Sequence, residues 1–190
     1  MLVTGSYERE RARAYAERWA LDRNPLFTDF TGIGGNCTNF VSQCVYAGCC
    51  QMNFTPVFGW YYLSADDRAP AFTGVEYFYN FITGNEGVGP FGSEVEEADL
   101  TVGDVVQLGR EEGAFYHTLL VVGRSEEGEL LLAAQSDDAY ARPLSTYTYA
   151  RVRYLRIDGV RYNALGVGDC YQPLLEGVEL LIDGAGRYSP

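Results

Sequence analysis

Apolar residues recur at helical spacing in three stretches of the first half of the chain and at strand spacing in the second half. After Ser6, the positions Ala12, Tyr15, Ala16, Trp19 and Ala20 form one face of a 3.6-residue period. They predict an amphipathic helix with Ser6 as N-cap and Asn24-Pro25 as its stop. A glycine-rich approach, Gly32-Ile33-Gly34-Gly35, leads into a second helical stripe of Phe40, Val41, Cys44 and Val45. Asn36 suits the N-cap of this helix and Gly48 its end, which puts Cys37 in the first turn. From Cys49 to Pro70 aromatics and turn formers alternate without a period, as expected of an ordered loop. Thr73 and Glu76 then have capping-box spacing ahead of Val75, Phe78, Tyr79 and Ile82, with Gly84 closing a third helix.

The second half predicts strands over 104–108, 117–122, 130–135 and 149–157, separated by turns such as Ser125-Glu126-Glu127-Gly128. Helices first and strands later imply an α+β fold with an antiparallel sheet. At 190 residues and 47% hydrophobic content, the chain is expected to form a single domain over 1–190 around one core. Residues 158–190 form a glycine-rich extension with no assigned role.

Composition narrows the chemistry. The longest apolar runs, such as Leu119-Leu120-Val121-Val122, are far short of the roughly 20 residues of a membrane-spanning helix and read as buried strands. The opening residues lack the pattern of a secretory signal, so a cytoplasmic location is expected, with export by an unmarked route as the alternative. A formal charge of -12 argues against nucleic acid and anionic membranes as partners. There is no lysine, and His117 is the single histidine. This removes Schiff-base chemistry, Ser-Lys dyads and lysine-dependent phosphate loops. The cysteines are Cys37, Cys44, Cys49, Cys50 and Cys170. An odd count with a vicinal pair predicts reduced thiols rather than a disulfide framework. Cys44, Cys49, Cys50 and His117 match no familiar zinc spacing, so neither a metal nor a cofactor is expected.

What remains is thiol chemistry. A cysteine at a helix start feels the positive end of the helix dipole, and a nearby imidazole can take its proton. Cys37 is therefore the candidate nucleophile and His117 the candidate base, with N–H groups of the first helical turn available to an oxyanion. Gln135 is the candidate to orient the imidazole, and Asp137 and Asp138 compete for that role. Asn36, Trp60 and Tyr61 are candidate substrate contacts, the two aromatics alternatively filling the core beneath a loop. A different-class reading is a binding or interaction module that keeps the fold without turnover. A redox protein built on Cys49-Cys50 is a third, disfavoured because adjacent cysteines close only a strained ring.

The segments Tyr15-Ala16-Glu17-Arg18-Trp19-Ala20, Arg23-Asn24-Pro25, 34–44 (GGNCTNFVSQC), Gly59-Trp60-Tyr61-Tyr62, Gly103-Asp104-Val105-Val106-Gln107-Leu108 and the His117 strand carry a resemblance. Over about 7–157 the chain resembles the bacterial putative amidase domain family, relatives of NlpC-type cysteine peptidases of the papain-like group. The resemblance implies a papain-like α+β fold with the catalytic cysteine at a helix start packed on a C-terminal antiparallel sheet. It also implies Cys37 as nucleophile, His117 as base and a polar third residue on the next strand. The substrate class it implies is a peptide or amide, including peptides derived from peptidoglycan. The chain departs from the pattern at Gln135, where many relatives have histidine, and at Asn36, where aspartate is usual.

Overall fold

The structure is a computed structural model that describes residues 1–163 and 168–179. The rest of the 158–190 extension, and whatever role it has, lies outside the described residues. Alternation along strand β4 (Phe115–Arg124) shows how the sheet is built. Leu120 and Val122 belong to the core beneath the helices, whereas Leu119 and Val121 belong to a smaller cluster on the opposite face, as a period of two requires. Both faces are covered, so the strand centre reads as one continuous apolar run.

The element order is β1 (Leu2–Gly5), α1 (Arg9–Trp19), α2 (Cys37–Cys49), α3 (Pro70–Thr73), α4 (Val75–Gly84), β2 (Gly89–Val95), β3 (Val105–Gly109), β4, β5 (Leu130–Ala134), β6 (Ala139–Pro143), β7 (Arg151–Asn163) and α5 (Tyr171–Glu176). Among the described residues seven strands form one antiparallel sheet in the order β1-β7-β3-β4-β5-β6, with β2 also paired to β7. The fold is therefore α+β with an antiparallel sheet, as the sequence predicts. No helix among the described residues is long and apolar enough to cross a membrane.

All five apolar positions predicted for α1 are buried, but the helix starts at Arg9. Ser6 spends its hydroxyl on the Glu8 carboxylate, 3.1 Å away, and is not the N-cap. Every residue of α2 is buried, which makes it the central helix of the core. It passes through Gly48 and ends at Cys50 in the left-handed conformation (φ 50°). Gly48 is a packing residue, because a Cβ there would collide with the Tyr7 ring. Thr73 closes α3 and does not cap α4; Glu76 pairs with Arg153 at 3.2 Å instead.

The expectation of five reduced thiols is corrected at two positions. Cys50 and Cys170 form a disulfide across 120 residues, while Cys37, Cys44 and Cys49 are free and buried. Spacing along the chain could not reveal this pair, because it depends on α5 packing against the far end of α2. Trp19 Nε1 donates to the Leu175 carbonyl (3.1 Å) and Asn24 Nδ2 to the Leu174 carbonyl (2.8 Å), which brings Cys170 onto α2.

Candidate active site

Cys37 occupies the first turn of α2 because the preceding backbone turns sharply. Gly34 and Gly35 have φ values of 116° and 102°, a region that side chains rarely adopt. The loop is then tied down through Asn36. Its backbone N–H donates to Ser136 Oγ, and its Oδ1 accepts from the Phe30 backbone N–H (3.0 Å) and from Asn39 Nδ2 (2.9 Å). Asn36 thus stands at the N-cap position without a side-chain capping bond to the helix backbone.

A buried polar chain joins this turn to the sheet. Thr38 and Thr118 hydroxyls meet at 2.8 Å, Gln107 Nε2 donates to Thr118 Oγ1 (3.1 Å), and Arg153 Nε donates to Gln107 Oε1 (2.8 Å). Because these groups are buried and paired, losing one partner leaves another unsatisfied, so the start of α2 is held in register with β4 and β3.

His117 reaches the same place from β4. Leu108 pairs with His117 but Gly109 with Phe115, so Tyr116 is an extra residue bulged out of the ladder. The Tyr116 carbonyl accepts the Cys37 thiol at 3.9 Å, and His117 follows it directly. Cys37 and His117 both line a cavity of about 440 Å³, together with Gly34, Gly35, Leu108, Tyr116, Ser136, Asp137, Arg142 and the segment 146–148. Among the described residues no hydrogen bond joins the thiol to the ring in this state. Apo geometry of this kind commonly tightens when substrate binds. Burial pushes the His117 pKa below its ordinary value; the Asp137 charge opposes this and the Arg142 charge adds to it.

The three candidates for orienting His117 are separated by the structure. Gln135 is almost fully buried and has no hydrogen bond to His117. Its Oε1 accepts from Asn36 Nδ2 (2.5 Å), and its Nε2 donates to the Trp19 and Asp22 carbonyls (2.7 and 2.8 Å). Asp138 is held by both terminal nitrogens of Arg23 at 3.0 Å. Asp137 lines the cavity and is the acidic group that acts on the imidazole. Ser136, with φ 75°, turns the chain between Gln135 and Asp137, so two residues that are near in sequence serve different neighbours.

Asn36, Trp60 and Tyr61 do not line this cavity. Asn36 is buried, with its side-chain amide spent on neighbours. Trp60 is fully buried against Phe72 and Phe81 with its indole N–H on Ser42 Oγ (3.0 Å), and Tyr61 packs on Phe54. Tyr116, Ser136, Arg142 and Tyr147 do line the site. Nothing in their local sequence marks them, because the bulge and the turns deliver them.

The glutamine makes a testable claim. Gln135→Ala removes three hydrogen bonds and strands the Asn36 Nδ2 donor, while the Trp19 and Asp22 carbonyls keep the Asp22 N–H and an Arg23 nitrogen; it is expected to destabilise the fold by about 1–3 kcal/mol in urea unfolding. A loss under about 0.5 kcal/mol, of the order of an ordinary surface substitution, contradicts this placement.

Residues 6–157 match the family described as "Putative amidase domain", and the chain belongs to that family, a description that suggests hydrolase activity. It is also 33% identical over 140 residues to "Uncharacterized protein YhbB" of Bacillus subtilis (strain 168). That match covers 72% of this chain but 43% of the relative, so the chain spans less than half the length of that protein. No solved structure matches.

Proposed function

We propose that the protein is a papain-like cysteine amidase, related to NlpC-type peptidases, that cleaves a peptide amide through a thioester on Cys37. The observation that carries this reading is that the thiol at the start of a buried helix and the chain's single imidazole line one cavity.

In the proposed reaction neutral His117 takes the Cys37 proton. The thiolate attacks the amide carbonyl, and the oxyanion is met by N–H groups of the first turn of α2, which a helix leaves without intrahelical acceptors. The imidazolium gives its proton to the leaving amine, and water attacks the thioester with His117 again as base. Asp137 supports the imidazolium by its charge. Gln135 acts one step removed, holding Asn36 and so the turn that carries Cys37. Peptides of the bacterial cell wall are the proposed substrate source, and this rests on the resemblance alone.

A panel of chromogenic peptide amides tests the reaction. Amine release is expected to be abolished by iodoacetamide and untouched by EDTA, with an acyl adduct on the Cys37 peptide by mass spectrometry. Loss of activity in EDTA that zinc restores contradicts the mechanism.

The pH profile tests the role of Asp137. The base must be neutral to act, and its lowered pKa keeps it neutral to lower pH. The acid limb of kcat/KM is therefore expected below the ordinary histidine range of about 6.5. Asp137→Asn removes the charge that favours the imidazolium and is expected to move that limb to still lower pH. A limb that moves upward, or does not move, removes Asp137 from the mechanism.

A further inference from the structure

We propose that Arg142 is a carboxylate-binding subsite of the Cys37 cavity, so that the amide cleaved there carries a free carboxylate within a few bonds of the scissile carbon. This rests on Cys37 being the nucleophile and adds a substrate class to that reading.

Arg142 is the one arginine among the described residues lining the cavity, in a chain of net charge -12 that has no lysine. Its guanidinium is held before any ligand arrives. Nε donates to Thr146 Oγ1 (2.9 Å), one terminal nitrogen to the Thr146 carbonyl (2.9 Å) and the other to Asp137 Oδ2 (2.8 Å), with Cζ over the Tyr147 ring, 4.0 Å from its centroid. A guanidinium has five N–H donors. These three bonds leave one hydrogen on each terminal nitrogen to donate to a carboxylate, the anion whose planar geometry a guanidinium matches.

Asp137 does not saturate this group. Its side chain is 68% exposed against 32% for Arg142, and an ion pair so open to water holds its partner weakly. The backbone supplies an independent observation. Ala141, immediately before Arg142, has φ 57°, a sparsely populated conformation for a residue with a side chain, in a strand whose register with β5 is broken. Strain of this kind next to a lining cation has a physical reason if it presents that cation to the cavity.

Two small alkylating reagents separate this claim from the nucleophile itself. In both reactions the Cys37 thiolate forms an S–C bond and iodide leaves; iodoacetate carries a carboxylate beside the attacked carbon and iodoacetamide a neutral amide. The quantity read is the iodoacetate-to-iodoacetamide rate ratio at the Cys37 peptide, divided by the same ratio in urea-unfolded protein. The expected value is about fivefold or more in the native wild type, in keeping with a charge-assisted bond at a partly shielded site. It is expected to fall to about one in Arg142→Met and to lie between in Arg142→Lys, which keeps the charge but loses the planar guanidinium.

A native ratio of one or less, or a raised ratio that persists in Arg142→Met, overturns the subsite. Brisk reaction with both reagents without preference overturns the subsite alone, whereas a Cys37 that reacts with neither overturns the nucleophile reading as well. Should Arg142→Met fail to fold, the wild type still decides. N-acetylglycine is expected to protect Cys37 from iodoacetamide at a concentration about fivefold lower than its carboxamide does, and equal protection overturns the proposal.

Discussion

Replacement of Cys37 by Ala is expected to reduce amide turnover to background, and replacement of His117 by Ala to lower kcat/KM by about a hundredfold to ten-thousandfold. The second figure is the usual worth of a positioned acid–base group. The asymmetry follows from the chemistry: no other free thiol in the chain can take over from Cys37, whereas water can partly replace His117 as a proton acceptor. Cys44 and Cys49 are buried in the core, and burial pushes the Cys44 thiol well above its ordinary pKa and the Cys49 thiol up to about 12. Steady-state kinetics on any amide of the panel checks both substitutions. Turnover that survives Cys37→Ala, or a His117→Ala enzyme within a factor of two of wild type, contradicts the mechanism.

The second large effect is expected in stability. The Cys50–Cys170 bond closes a loop of 120 residues, and cross-links over long loops restrict the unfolded chain most. Cys170→Ser is expected to cost about 2–4 kcal/mol, a fall in Tm of about 5–15 °C for a chain of this size. The reason is local as well as entropic. The bond fixes α5, and α5 supplies the Leu174 and Leu175 carbonyls that receive Asn24 and Trp19, next to the turn that Gln135 holds. Thermal unfolding of wild type and Cys170→Ser, each with and without dithiothreitol, reads this directly. The wild type is expected to lose Tm on reduction and the variant is not, while equal curves in all four conditions remove the disulfide from the account. The molecule thus holds two redox states at once, a reduced Cys37 and an oxidised Cys50–Cys170 pair.

Periodicity made legible the elements whose burial is regular. The helical stripes of α1, α2 and α4 and the apolar runs of β3, β4, β5 and β7 all follow from it, because each buries a face against the same core. The elements it did not reveal lack that signal. β1 is a short exposed strand, β2 reads Gly-Pro-Phe-Gly-Ser and is organised by β7, β6 ends at Pro143, and α5 is six residues long with a proline inside it. Pairing with β7 (β1 and β2) or β5 (β6) and packing on α2 (α5) create these elements, and none of these is a local property of the chain.

The site divides in the same way. Cys37 could be found from the glycine approach and the helix start, and His117 by elimination. Gln135 and Asp137 could not be told apart, because a left-handed Ser136 sends one towards Asn36 and the other to the cavity. The two departures from the resembled family's pattern, Asn36 and Gln135, are hydrogen-bonded to each other. Each looked like an isolated loss in sequence, but together they form a neutral amide pair behind the nucleophile.

The measurement that bears most directly on the central claim needs no substrate. It is the pH dependence of iodoacetamide alkylation at Cys37, Cys44 and Cys49, read by peptide mass mapping in wild type and His117→Ala. Cys37 alone is expected to react rapidly below about pH 7, and to lose this reactivity without the imidazole. A Cys37 that alkylates like an ordinary thiol, with the same profile in both proteins, contradicts it.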